Sequence, residues 1–219
     1  MFQKYNEMDD FYKRTNYHMH TTYTDGKNTP EEMLQKCIEC GYTSIAFTDH
    51  ARSNSDYLPH YFKEINELSC RYNFKILKGI EARISDFDGT ISYPKHEKSN
   101  IDIIIASVHR ISINDKLFYI KEFTPKTAFE IETYLALNAI KKRECNVIGH
   151  SGGMSIEAFD EFPLENFEQI IKLCAENDTA FEINYRYHKN FIHKLMPLLK
   201  KYNPYVTFGT DSHDKESLK

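Results

Sequence analysis

The chain has 219 residues, enough for one domain with a sizeable core, and carries 28 Lys and Arg against 32 Asp and Glu. This mild acidity argues against a general electrostatic nucleic-acid binder, so nucleic acid is not an expected partner. No apolar run approaches the ~18 residues that span a membrane, and the opening MFQKYNEMDDFYKRTN lacks the apolar core of a signal peptide, which makes the cytoplasm the expected location.

The domain is read as a single unit over 1–219, with 1–14 as an N-terminal extension. Tyr17-His18-Met19-His20 is extended, and its two imidazoles share one face because strand side chains alternate. Thr29-Pro30-Glu31-Glu32 reads as N-cap, proline in the first turn and acidic first turn of a helix that stops at Gly41. Ser44–Thr48 is a short buried strand ending at Asp49-His50. A helix over about 57–73 leads to a strand, Phe74–Ile80, that ends at Glu81. An irregular stretch to about Asn100 follows, with Asp88-Gly89 as a hairpin turn. Ile101–Val108 is a buried strand ending at His109. Thr124-Pro125 opens a long helix to about Arg143. Cys145–Gly149 is a strand ending at His150. Then come a helix near 164–177, a strand at 179–184, a helix near 189–202, and a last strand, Tyr205–Gly209, running into Asp211-Ser212-His213.

The strand-then-helix alternation with buried strands implies a parallel sheet, doubly wound or closed into a barrel. Residues of metal-ligand type decide for the barrel. His18, His20, His50, Glu81, His109, His150, Asp211 and His213 stand at C-terminal strand ends, which a barrel gathers around one mouth. Asp25 in the loop after His20 completes the set. So many ligands exceed the four that one zinc ion takes, and they suit a cluster of two or three ions with bridging groups.

These residues resemble the PHP (polymerase and histidinol phosphatase) superfamily of metal-dependent phosphoesterases. The motifs are His18-x-His20 with Asp25-Gly26, Thr48-Asp49-His50, Gly79-Ile80-Glu81, Ser107-Val108-His109, Gly149-His150 and Asp211-Ser212-His213. The resemblance implies a distorted (β/α)7 barrel. It also implies three metal positions: His18, His20, Glu81 and Asp211 at the first; Glu81, His109 and His150 at the second; Asp25, His50 and His213 at the third. The mixed imidazole and carboxylate set suits zinc, manganese or iron. Such a cluster leaves an excess of positive charge that matches a phosphomonoester dianion. The expected reaction is attack by a metal-bridging hydroxide, with Glu81, Asp211 and His213 at the catalytic centre and a small phosphorylated substrate such as histidinol phosphate or a nucleotide. Arg52 and Arg110, each close to a strand-end ligand, are expected to fork onto the phosphate. The alternatives are an exonuclease-type phosphodiesterase and a non-catalytic accessory barrel.

Several other features are read as structural. The five cysteines are expected to be buried or half-buried thiols, with Cys37-x-x-Cys40 closing a helix where a redox pair would open one. His60, His96, His188 and His193 are expected at the surface. Asp86-Phe87-Asp88-Gly89-Thr90 has the form of a haloacid-dehalogenase nucleophile loop. The flanking Ala82–Ser85 is too polar for the buried strand such a loop requires, so a hairpin is expected. The chain runs six residues beyond His213, where barrels of this kind often add a helix, and Met1–Asn16 is the segment available to cover that end.

Overall fold

The computed structural model describes residues 2–114 and 116–218. In chain order the elements are β1 (Gln3–Lys4), β2 (Thr15–Asn16), α1 (Pro30–Glu39), β3 (Ser44–Phe47), β4 (His50–Ala51), α2 (Leu58–Tyr72), β5 (Ile76–Ile84), β6 (Ile91–Ser92), β7 (Ile103–Ser107), β8 (Arg110–Ile113), β9 (Lys116–Tyr119), α3 (Pro125–Lys142), β10 (Val147–Ile148), α4 (Gly153–Phe159), α5 (Leu164–Asn177), β11 (Ala180–Asn184), α6 (Tyr185–His188), α7 (Ile192–Tyr202) and β12 (Tyr205–Gly209).

Local chemistry explains the helix starts. Thr29 caps α1 in a capping box with Glu32, and Thr124 accepts from the Thr127 N–H at the start of α3, each followed by proline. The strands form a ten-stranded mixed sheet along the path β1-β12-β11-β10-β7-β5-β3-β2, with β4 and β6 also on β5; β8 and β9 form a separate hairpin. From β2 to β12 the neighbours along this path run parallel, whereas β1 and β6 pair antiparallel. The strand path is open between β2 and β12. The segment after β2 nevertheless reaches across: Tyr17 N–H donates to Phe208 O at 2.7 Å, Asp211 N–H to His18 O at 2.9 Å, and His20 N–H to Ser212 O at 2.9 Å. The result is an α/β fold with the C-terminal ends of the parallel strands drawn together. The core holds Ile45, Phe47, Ile80, Ile105, Phe181 and Val206 from the sheet, with Met33, Ile65, Ile140 and Leu199 from the helices. Among the described residues no helix is long and apolar enough to cross a membrane.

Four sequence expectations are corrected. β5 does not stop at Glu81 but continues through Ile84, because β4, β7 and then β6 supply backbone partners as far as the hairpin. Ala82 and Ile84 are therefore buried in a strand despite the polar neighbours. The hairpin itself is present, and Asp86 and Asp88 at its turn are exposed, with Asp88 paired to Lys142; neither stands at a buried strand end. His188 is not at the surface but buried: Asn184 N–H donates to its Nδ1 and its Nε2–H to Ser151 O. Of the cysteines, all free, Cys70 is exposed on α2, whereas Cys37 and Cys174 are buried and Cys40 and Cys145 intermediate. The N-terminal segment lies against the last strand, with Gln3 opposite Val206.

Candidate metal centre

Glu81 is the hub of the strand-end cluster. It sits mid-strand on β5, 1 % exposed, with β4 and β7 on either side. Its Oε1 lies 3.0 Å from His150 Nε2 and 3.3 Å from both His18 Nε2 and His109 Nε2. Its Oε2 lies 2.9 Å from His50 Nδ1 and 3.6 Å from His20 Nε2. Asp211 Oδ1 stands 3.1 Å from His20 Nε2 and 3.6 Å from His18 Nε2. Asp25 Oδ2 stands 3.3 Å from His50 Nε2 and 3.4 Å from His213 Nε2. All nine side chains named from the sequence thus meet in one place.

Their ligand atoms fall into three groups, each within 4.8 Å: His18, His20 and Asp211; His50, Glu81 and His109; His20, Asp25, His50 and His213. The grouping differs in detail from the sets implied by the resemblance. His20 and His50 are each shared between two groups, and His150 touches the cluster through Glu81.

The imidazoles are oriented from behind. His18 donates its Nδ1–H to Glu182 Oε1 at 2.6 Å, which turns the Nε2 lone pair toward Glu81 and Asp211. The other Glu182 oxygen accepts the backbone N–H of His150. His213 donates Nδ1–H to the Asp211 carbonyl at 2.9 Å, leaving Nε2 for Asp25. Glu182 was not picked out from the sequence. Its signal is a carboxylate in the apolar strand Ala180-Phe181-Glu182-Ile183, where a buried charge calls for a partner. Gly209 is matched to it: a Cβ there would run into the Glu182 carboxylate and the His18 Cβ, so only glycine fits. Arg186 on α6 holds Asp211 Oδ2 at 3.1 Å through its guanidinium.

The electrostatics are those of a cation site. Burial works against the charge on Glu81, but the imidazoles of His109, His18 and His50 outweigh it and hold its pKa well below the carboxylate range. Burial disfavours protonated His50, yet Glu81 and Asp25 raise it to about 10. His20 and His109, where burial dominates, are lowered. His18 Nε2, both ring nitrogens of His20, Glu81 Oε2 and His150 Nδ1 are buried with no directed hydrogen bond. Each such orphan costs about 1–3 kcal/mol. Lone pairs converging without donors are what divalent ions satisfy, so the residues present fit a metal cluster.

The cluster opens into a cavity of about 520 Å³ whose wall includes Asp25, His50, Glu81 and His109 together with Arg52, Arg83 and Arg110. Both arginines expected at the substrate therefore reach the cavity. Arg83 joins them because β5 runs on past Glu81.

Comparison with known proteins agrees with this geometry. A family model described as "PHP domain" matches residues 16–186. The DNA polymerase/3'-5' exonuclease PolX of Bacillus subtilis (strain 168) is 31 % identical over 211 residues, covering 92 % of this chain but 34 % of that protein, so the chain spans about a third of its length. A probable phosphatase of Caldicellulosiruptor saccharolyticus is 26 % identical over 204 residues, 92 % of this chain and 80 % of that one. Among solved structures, the histidinol phosphate phosphatase of Lactococcus lactis subsp. lactis, crystallised with zinc, L-histidinol and phosphate, is similar with a TM-score of 0.71 at 24 % identity over 92 % of this chain and 86 % of that one. The putative histidinol phosphatase of Listeria monocytogenes gives 0.70 at 18 % identity, covering 93 % and 97 %.

Proposed function

This chain belongs to the PHP-domain family, and from that premise we propose that it is a metal-dependent phosphoesterase that hydrolyses a small phosphomonoester. The observation that carries the proposal is the convergence of Glu81, Asp211 and Asp25 with six imidazoles at the floor of an arginine-rimmed cavity, where His18 Nε2, both ring nitrogens of His20 and Glu81 Oε2 are buried without a hydrogen bond. The probable phosphatases among its relatives support it. We read the sheet as a distorted (β/α)7 barrel, supported by the bonds that join Tyr17–His20 to Phe208 of β12 and to Asp211 and Ser212 just beyond it.

His18, His20, Glu81 and Asp211 would hold a first ion, Glu81, His109 and His150 a second, and Asp25, His50 and His213 a third, with zinc, manganese or iron suited to the donors. Bound there, the ions would supply an acidified water and offset the charge that develops on the phosphoryl oxygens. Glu81, Asp211 and His213 stand nearest the reacting atoms. Glu182 orients His18 through Nδ1, and Arg186 steadies Asp211. Arg52 and Arg110 grip anionic oxygens of the substrate. Losing a charge-assisted pair of this kind costs about 1.5–3 kcal/mol, so Arg52→Ala or Arg110→Ala is expected to lower kcat/KM roughly ten- to a hundredfold with metal content unchanged. Steady-state kinetics together with elemental analysis of the same preparations checks this.

The likeness to the PolX enzyme over 92 % of the chain favours a second reading, a 3'-5' exonuclease-type phosphodiesterase. One experiment separates the two. Protein loaded with zinc or manganese is analysed for metal and assayed on p-nitrophenyl phosphate, histidinol phosphate and nucleoside monophosphates, and in parallel on bis(p-nitrophenyl) phosphate and single-stranded DNA. Monoester turnover with more than one ion per chain is the expected result. Faster diester cleavage establishes the second reading, and no hydrolysis of either class overturns both.

A further inference from the structure

Strand register stacks two layers of side chains on the cavity wall. His50 of β4 is paired with Glu81 of β5, and Ala51 with Ala82. Side chains two residues on return to the same face, so Arg83, and Arg52 just past the end of β4, form the next layer above His50 and Glu81. All four line the cavity. At about 3.3 Å per residue this second layer stands ~7 Å along the strands from the first. Arg110, which follows His109, joins it from β8; its guanidinium stacks over Tyr119, 4.3 Å from the ring centroid, and donates to the Tyr119 hydroxyl. Ser92, opposite Arg83 on β6, and Asn54 are further polar groups of that wall.

Among the described residues no carboxylate stands as counter-charge to the three guanidiniums: the arginine ion pairs there are Arg71–Glu31 and Arg186–Asp211, and Arg52, Arg83 and Arg110 have no carboxylate at ion-pair distance. Three guanidiniums on one cavity wall with no described carboxylate beside them present a set of donors suited to an anion. A single phosphate on the cluster below, with its charge matched by divalent ions, does not use all three.

Resting on the phosphomonoesterase reading, we infer that Arg52, Arg83 and Arg110 form a subsite for a second anionic group, so that the preferred substrate is a small phosphomonoester bearing another phosphate or carboxylate about 7 Å from the phosphorus that is attacked. The same rim disfavours a substrate with a cationic tail, such as the amino group of histidinol phosphate, by like-charge repulsion.

Three non-hydrolysable probes of equal chain length test this on metal-loaded protein by calorimetry: butane-1,4-bisphosphonate, butylphosphonate and 4-aminobutylphosphonate. The bisphosphonate is expected to bind at least about tenfold tighter than butylphosphonate, with the amino compound weakest. Arg83→Gln and, separately, Arg52→Gln are each expected to cut the bisphosphonate-to-butylphosphonate affinity ratio at least about fivefold. 5-Phosphonopentanoate identifies the second group: affinity equal to that of the bisphosphonate assigns a carboxylate, and weaker affinity that still exceeds butylphosphonate assigns a phosphate, both in support. Equal binding of anionic and neutral tails, or a ratio unchanged in both variants, overturns the subsite. Turnover of butyl phosphate and butane-1,4-diol bisphosphate by the same protein keeps the two readings apart. Equal kcat/KM on both sinks the subsite alone, whereas hydrolysis of neither sinks the proposed function.

Discussion

At the scale of single residues, the site depends on what stands behind its ligands. Both oxygens of Glu182 accept hydrogen bonds, one from His18 Nδ1–H and one from the His150 N–H. Glutamine has one acceptor oxygen, so Glu182→Gln sets an NH2 against one of these donors. Loss of a carboxylate that orients a ligand histidine typically weakens metal binding ten- to a hundredfold. Competition with a calibrated chelator is expected to find a drop of about that size in Glu182→Gln; unchanged affinity would remove Glu182 from any orienting role. His188 carries a separate expectation. Burial lowers its pKa to about 4 from an ordinary 6.5, against the opposing pull of the Ser151 carbonyl. On acidification the unfolded chain takes up this proton first, so stability is lost as pH falls from about 6.5 toward 4, by up to about 3 kcal/mol. His188→Gln keeps a donor for Ser151 but cannot titrate. Its Tm is expected to fall less steeply over that window than the parent's, though it starts lower at pH 7, and parallel profiles would mean that His188 does not contribute.

At the scale of elements, the hairpin between β5 and β6 is held from outside. Asn138 of α3 donates to the Phe87 carbonyl at 2.9 Å and Lys142 pairs with Asp88. Gly89 has φ of +85°, and a Cβ there would meet the α3 backbone at Asn138 and Ala139. Gly89→Ala therefore combines left-handed strain with a clash against backbone, and is expected to cost about 1–3 kcal/mol, seen as a lower midpoint in denaturant with an unchanged slope. Elements whose causes are local were legible: α1 and α3 from Thr-Pro starts, and the hairpin from Asp88-Gly89. Two-residue strands such as β1, β2 and β4 carry no periodicity of their own. Their pairing partners are distant, as with Gln3 and Val206, so nothing in the local sequence marks them. The β8–β9 hairpin escaped notice for a related reason: Lys116, Leu117 and Tyr119 are exposed, which blurs the alternation of a strand packed on the core.

At the scale of the whole molecule, the strand-end cluster joins the first and last strands of the parallel run, because His18 and His20 follow β2 while Asp211 and His213 follow β12. Ions bound there tie together segments nearly two hundred residues apart in the chain. Ligand free to bind only the folded state stabilises it by about 2.7 kcal/mol at a hundredfold excess over Kd, which for a chain of this size is roughly 5–10 °C in Tm per ion. Thermal melts with and without zinc or manganese are expected to differ at least that much, and the difference is expected to shrink in Glu81→Gln, which leaves a neutral group at the hub. Identical melts would mean that the strand-end cluster takes no metal.

The sequence by itself determined the kinds of chemistry present and their order. His18-x-His20, His50, Glu81, His109, His150 and Asp211-x-His213 could be named because strand ends and donor types are written locally. Only the tertiary structure decided which nitrogen faces which oxygen, that Glu182 and Arg186 stand behind the ligands, that His188 is buried, and that β5 runs on to bring Arg83 beside Arg52. These outcomes depend on register between strands remote in the chain. A residue's partner across a parallel sheet is set by packing of the whole core, and no short stretch of sequence encodes it.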